Sequence, residues 1–301
     1  MRVPVLLALT LLSTNSLFAQ APKETTDDPN KQQVVPKLAD IPQPARGFGT
    51  VVGQFVFEGA IPEKALLHEA GDAAVKDGET CAAKDHFKNN LVINAKNKGI
   101  ADIFFYEKAG TYKKKPDAIH PALRVPAKKQ LFFDQKGCRF FPKSLLVHAL
   151  PNGAGQKVTV LSNDPVNHNT HTSSIKNTAV NFLVGANDRE GTDVKLSKPE
   201  TVPMGVKCDL HPWMKANWLV MDHPYMAVSN KDGRFMIANL PAGKHEFRLW
   251  HTNPGYVHKK LKDMKGEGFE VKKKKFFVEI KDGKVANLGQ IKLKADIFKS
   301  K

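Results

Sequence analysis

No stretch beyond the N-terminus approaches the roughly 20 consecutive apolar residues that a membrane-spanning helix needs, so no transmembrane segment is expected. Long runs with the 3.6-residue apolar period of a helix are almost absent as well, which argues against a mainly helical fold. Cysteine is scarce, with only Cys81, Cys138 and Cys208. None lies at a leader junction, so a lipid anchor on that residue is not indicated. Acidic residues are outnumbered, 30 Asp and Glu against 46 Lys and Arg, for a formal net charge of +16. No recognisable nucleic-acid module accompanies that charge, and no nucleic-acid partner is expected.

The N-terminus combines Arg2, an apolar run from Val3 to Leu12, and small or polar residues ending near Ala19 to Ala21. It reads as a signal peptide over residues 1–20, cleaved on export, which implies a periplasmic or secreted protein. Residues 21–46 are rich in Pro, Asp, Lys, Gln and Thr. With few large apolar side chains they cannot offset their ordering entropy, and a disordered linker is expected. The remaining stretch, about 250 residues, is long for one small domain and points to two. Lysines concentrate between Lys259 and Lys275. A solvated face is the plain reading of such a run; an acidic partner or an anionic envelope surface is the functional one.

Short alternating or β-branched segments recur between Gly, Pro, Asn and Asp, an all-β pattern. Strands are expected from Gly49 to Glu58, Asn90 to Ala95, Ala101 to Glu107, Gln130 to Asp134, Ser144 to Ala149, Lys157 to Asn163 and Thr201 to Cys208. Further strands are expected from Ala216 to Asp222, Arg234 to Ile237, His245 to His251, Lys275 to Ile280 and Gly289 to Lys294. Turn signals fall at Asp232-Gly233, Pro241-Ala242-Gly243 and Asp282-Gly283.

Chemistry concentrates in Cys208-Asp209-Leu210-His211-Pro212-Trp213-Met214, with Asn167-His168-Asn169 upstream. Two imidazoles and a thiolate form a trigonal plane for copper, and a thioether supplies a weak axial contact. Such a set suits the Cu(I)/Cu(II) couple because little need move when the electron does. Taken singly, Cys208 and Met214 would read as core residues and His168 or His211 as a hydrogen-bonded imidazole. Their joint spacing favours one type 1 copper ion on His168, Cys208, His211 and Met214. His171 competes with His168, but residues three apart on an extended chain face opposite ways, so the two are not expected to share an ion. Zinc is the chemical rival; its closed sites generally use four Cys or His ligands and not Met.

The order of a Gly, an alternating strand, Asn163, His168-Asn169 and a C-terminal ligand loop resembles the cupredoxins, the plastocyanin and amicyanin group of blue copper proteins. The C-x-x-H-x-x-M spacing and His168-Asn169-Thr170-His171 look most like amicyanin. The resemblance implies a Greek-key β-sandwich. It also implies that Asn169 bonds to the ligand-loop backbone, and that Pro212 and Trp213 form an apolar collar beside His211, although ordinary core packing would serve Trp213 equally well. If Cys208 is a ligand, Cys81 and Cys138 are free to form a disulfide; two buried thiols are the alternative.

A second segment, Ala227 to Gly243 with Asp232-Gly233-Arg234-Phe235 and Leu240-Pro241-Ala242-Gly243, resembles the carboxypeptidase regulatory-like module, a prealbumin-type β-sandwich. The opening strand and turn of that module match Gly49-Thr50-Val51-Val52-Gly53 and Gly59-Ala60-Ile61-Pro62, far upstream. The expected organisation is therefore a copper domain over residues 130–222 inserted into a discontinuous sandwich formed by 47–129 and 223–297. Two consecutive domains are the simpler alternative, and residues 60–129 fit neither well. The segments His223-Pro224-Tyr225 and Trp250-His251 read as structural.

A binuclear copper centre needs a second thiolate near Cys208, and a multicopper oxidase needs several His-x-His pairs; neither is present. A saturated ligand set leaves no position for substrate, so no enzymatic activity is expected. The expected function is one-electron transfer between redox protein partners, acidic ones being the natural match to the charge. A cell-envelope binding or copper-handling module without a redox role is the alternative.

Overall fold

The computed structural model describes residues 35–299. The expected signal peptide and the linker as far as residue 34 lie outside the described residues. The described residues are nearly all β, with only short helical turns, in two layered units that meet along one seam.

In the first unit, strand Phe48–Glu58 lies between strands Arg234–Pro241, antiparallel to it, and Val285–Lys294, parallel to it. A larger sheet faces this one, and there strand Phe104–Glu107 lies between Met226–Val228 and Gly243–His251. Lys275–Ile280, Phe269–Lys272 and Met264–Gly266 extend that sheet, and Gly255–Tyr256 pairs with Gly243–His251. Strands from before residue 108 and after residue 225 thus interleave in both sheets. Between the sheets Phe55, Phe105, Phe235, Phe247 and Phe276 are fully buried, and the Phe105 and Phe247 rings stack with centroids 4.2 Å apart. Aromatic side chains of this size supply much of the burial that holds a sandwich together.

The three turn glycines read from the sequence, Gly233, Gly243 and Gly283, all have positive φ. At Gly233 the constraint is also steric, since a Cβ would lie 2.2 Å from the Phe55 carbonyl oxygen. Only glycine lets this turn lie against the opening strand.

In the second unit, a five-stranded sheet runs in the order Asn181–Val184, His168–Ser173, Met204–Lys207, Lys215–Met221 and Ser144–His148. Facing it is a four-stranded sheet of Thr192–Lys195, Lys157–Val160, Gln130–Gln135 and Phe140–Phe141. Phe133 and Trp218 meet edge to face in the core between them, at 4.9 Å. Phe104, Tyr106, Met226 and Val228 of the first unit pack on Leu219 and Met221 of the second, forming the seam.

Three expectations from sequence are corrected. Asn90 to Ala95 forms no strand, only a single bridge between Ile93 and Ile100; the Asn94 side chain instead accepts the Lys96 amide and donates to Asp232, as a turn residue does. Strands Asn181–Val184 and Thr192–Lys195 lie where no strand was expected, and His168 itself opens a further strand, His168–Ser173. Residues 66–87 form a small flap of their own, with strand Leu66–His68, helix Gly78–Cys81 and strand His86–Phe87. Its Val75, Cys81 and Ala82 are buried in the core of the second unit, not the first.

Candidate metal centre

Antiparallel pairing sets Gly205 opposite Ser173, Val206 opposite Thr172 and Lys207 opposite His171. Cys208, the next residue, is carried back towards the start of the neighbouring strand, where His168 and Asn169 lie. The Asn169 amide donates to Cys208 Sγ at 3.5 Å. The Cys208 amide donates to the Met214 carbonyl at 3.2 Å, and the Met214 amide to the His211 carbonyl at 2.9 Å. These two bonds close the seven-residue loop and turn His211 back over the thiol. Met214 is buried in the same core, 2% exposed.

The result is a compact donor cluster. One donor atom each from His168, Cys208 and His211 lie within 4.8 Å of one another, and all three residues are buried. His168 Nδ1 faces His211 Nδ1 at 2.9 Å, and Cys208 Sγ is 3.7 Å from His211 Nδ1. On the far side of each ring, Nε2–H donates to a carboxylate: His168 to Asp164 and His211 to Asp77, both at 2.9 Å. With each Nε2 committed as a donor, each Nδ1 carries a lone pair directed at the other. Two such lone pairs at hydrogen-bonding distance repel unless a proton or a metal cation lies between them. The donor chemistry, two imidazoles and a thiolate with a thioether in the same loop, fits copper.

The electrostatics agree with a cluster prepared for a cation. Burial pushes the Cys208 thiol up, but hydrogen bonds from His168, His211 and the Asn169 amide outweigh it and bring its pKa down to about 6. Burial likewise pushes His168 down, and its bonds to Asp164 and Cys208 overcome this and raise it to about 9. Both shifts favour a thiolate beside a protonated imidazole. A cation of the right softness replaces the proton.

The remaining sequence candidates fall around this cluster. Asn169 Oδ1 accepts the amides of Asp209, at 2.6 Å, and Leu210, at 3.4 Å, so it fixes the start of the ligand loop. His171 points the other way, one-third exposed, and bonds to Asp209 through Nδ1. Trp213 packs against His211, with ring centroids 5.3 Å apart, and its indole N–H donates to the Cys138 carbonyl. Pro212 is exposed. Cys81 and Cys138 form a disulfide, with Cα atoms 5.2 Å apart. Its sulfurs lie within 4.8 Å of a His211 nitrogen, so the disulfide borders the centre itself.

Sequence reasoning missed the two carboxylates and the flap. Asp164 sits four residues before His168 and also accepts the Cys138 amide, so a carboxylate close before a ligand histidine was the available signal. Asp77 precedes His211 by 134 residues and has no such signal. With the disulfide and His68, whose ring packs on Trp213 at 4.5 Å, it forms a cover over His211, which is fully buried. A cleft of about 280 Å³ opens instead beside Trp213 and Met214, rimmed by Lys88, Arg139 and Lys215 with no carboxylate in its lining.

No protein-family model matches the chain, and no curated protein matches it. Solved structures similar to part of it include amicyanin from Paracoccus versutus, 13% identical over 32% of this chain and 84% of that one, TM-score 0.25. A reduced amicyanin variant is 17% identical over 32% of this chain and 85% of its own, TM-score 0.25. The copper-containing nitrite reductase of Thermus scotoductus is 18% identical over 30% of this chain, TM-score 0.25, and the match spans only 21% of that enzyme's length. At this TM-score the likeness adds nothing to what the cluster's own geometry says.

Proposed function

We propose that this protein is an exported, non-enzymatic electron carrier that holds one type 1 copper ion on His168, Cys208 and His211, with Met214 as the weak axial donor. The observation that carries the reading is the approach of the two Nδ1 atoms at 2.9 Å, with both Nε2 atoms committed to carboxylates, beside a thiol inclined to ionise. Copper bound there supplies a one-electron couple. The chain's own residues do the rest. Asp164 and Asp77 keep both rings in the tautomer that presents Nδ1. Asn169 and the Cys208–Met214 bonds fix the loop, so that little rearranges when the charge changes. Trp213 and the flap exclude water from the His211 side.

A redox partner reaches such a centre where covalent structure comes closest to solvent. The flap closes His211, so the cleft at Trp213 and Met214 is the approach we favour. Its cationic rim suits an acidic partner. In the same reading the copper domain is inserted into a host sandwich of the carboxypeptidase regulatory-like kind. The interleaving of early and late strands supports this, and the flap is then an extension of the host that reaches over the copper domain.

Titration of the metal-free protein with Cu(II) tests the proposal. One equivalent is expected to give an intense thiolate-to-copper absorption band in the visible, absent in Cys208→Ser. A wild-type protein that binds copper without that band would overturn it.

The buried His211 also favours a second reading, copper storage or delivery without electron transfer. Rapid reduction of the blue protein by small one-electron donors, with full reoxidation, is expected for a carrier. Loss of the ion on reduction would favour delivery.

A further inference from the structure

A cavity of about 1050 Å³ lies on the first unit, away from the metal centre. It is bordered by the segment after strand Phe104–Glu107, the outward face of Gly243–His251, and the hairpin tip between Phe269–Lys272 and Lys275–Ile280. Eight lysine and arginine side chains line it against two carboxylates. Both carboxylates are engaged internally: Glu107 takes the Tyr112 hydroxyl and His245 Nδ1–H, and Glu246 takes Lys275 Nζ. His245 donates through Nε2 as well, to the Pro241 carbonyl at 2.7 Å, so the buried His245–Glu107 pair is self-contained and offsets none of the lysines. Among the described residues no carboxylate forms a side-chain ion pair with Lys108, Lys115, Arg248, Lys259, Lys273 or Lys274, although Asp263 accepts the Lys273 backbone amide at 3.0 Å. Lys115 rests over the Tyr112 ring and Arg248 and Lys259 over Tyr256, contacts that place these side chains but leave their like charges to repel at the rim of one cavity.

The hairpin tip makes the same point through the backbone. Lys272 pairs with Lys275, leaving Lys273 and Lys274 as a two-residue loop with φ of 50° and 60°. Both therefore adopt the left-handed conformation that such hairpins normally give to Asn-Gly. Lysine is unfavourable at either position, and strain of this kind persists mainly at functional sites.

From these observations we infer that the cavity is a binding site for a ligand carrying several phosphate groups. Seven of the eight cations are lysines, compact charges suited to phosphate, whereas planar carboxylates are better met by the bidentate fork of arginine. The volume is at or above the upper end of typical ligand pockets and far exceeds a single phosphate, which calls for a multiply charged ligand. Phosphate in this number comes either from a soluble oligophosphate or from the headgroups of an anionic phospholipid surface. The inference is independent of the copper reading.

Calorimetric titration of the full chain, purified without added copper, with sodium tripolyphosphate at about 0.15 M salt, where the Debye length is about 8 Å, tests it. Saturable binding near one equivalent is expected. Lys273→Asn with Lys274→Gly installs the preferred turn pair and removes two charges, so it should weaken binding at least tenfold without lowering the melting temperature. Lys292→Gln with Lys294→Gln, exposed positions on another strand, should leave the affinity unchanged. Co-sedimentation with phosphatidylglycerol vesicles, lost in the turn variant, assigns the lipid source; tripolyphosphate binding without co-sedimentation assigns the soluble one. No saturable binding, equal loss in both variants, or equal affinity for polyglutamate would overturn the inference.

Discussion

Asp164 and Asp77 decide which nitrogen each ligand imidazole offers, so their removal is expected to reach the metal without touching it. Asp164→Asn should weaken copper binding by about 10- to 100-fold, the usual range for losing a carboxylate behind a ligand histidine. Asp77→Asn should do less, because the Asp77 carboxylate is one-third exposed and water can replace it. Competition against a calibrated chelator measures both. His168→Ala should abolish the visible band while His171→Ala retains it, since the His171 ring faces Asp209 on the outer side of the strand. Cys208, His211 and Met214 are legible in the sequence because they share one loop whose spacing is itself chemical information. Asp77 is not, because only the fold of the intervening 134 residues brings it to His211.

At the scale of elements, the flap is the part of this protein with the least sequence signal and a direct bearing on the metal centre. Its short helix ends at Cys81, and the disulfide to Cys138 fastens it beside both imidazoles. Replacing both cysteines with serine should destabilise the chain by about 4 kcal/mol at most, the chain-entropy value for a closed loop of this length. Amide exchange should rise across residues 66–88 more than in the sheets, measured by mass spectrometry. Equal protection of the flap in both forms would show that the disulfide is not what holds it. Strand Phe48–Glu58 was readable from its apolar text and the turns from glycines that take positive φ. Strands Asn181–Val184 and Thr192–Lys195 were not, because each is only four residues long, Leu183 faces solvent against the expected alternation, and a single side chain in each, Val184 and Val194, is buried. Asn90 to Ala95 misled for the opposite reason: its Leu91 and Ile93 pack against the core from an irregular segment whose Asn94 side chain makes the turn bonds.

Across the whole molecule, the two units share a seam of apolar residues, and neutral buried histidines make stability depend on pH. Burial, with a smaller contribution from His223, lowers His148 to about 4, and burial lowers His251 to about 3. Unfolded, both titrate near 6.5, so between pH 6.5 and 4 the unfolded chain binds more protons than the folded one. Stability should therefore be fully present above pH 7 and fall as the pH drops through that window, by on the order of 3 kcal/mol from His148 alone. Denaturant titrations at pH 7.5 and 4.5 measure the loss, and His148→Gln should reduce it. The interleaved strands of the first unit and the insertion-like course of residues 130–221 were legible only as two separated halves of one motif. Pairing between strands so distant in the chain carries no local pattern of its own.

The central claim is that His168, Cys208 and His211 converge on one copper ion. X-ray absorption at the copper edge of the singly loaded protein tests it most directly, because it reads the ligands themselves. One short copper–sulfur vector together with two copper–imidazole vectors is the predicted result, with the sulfur vector lost in Cys208→Ser. A first shell of nitrogen and oxygen alone in the wild-type protein would contradict the account.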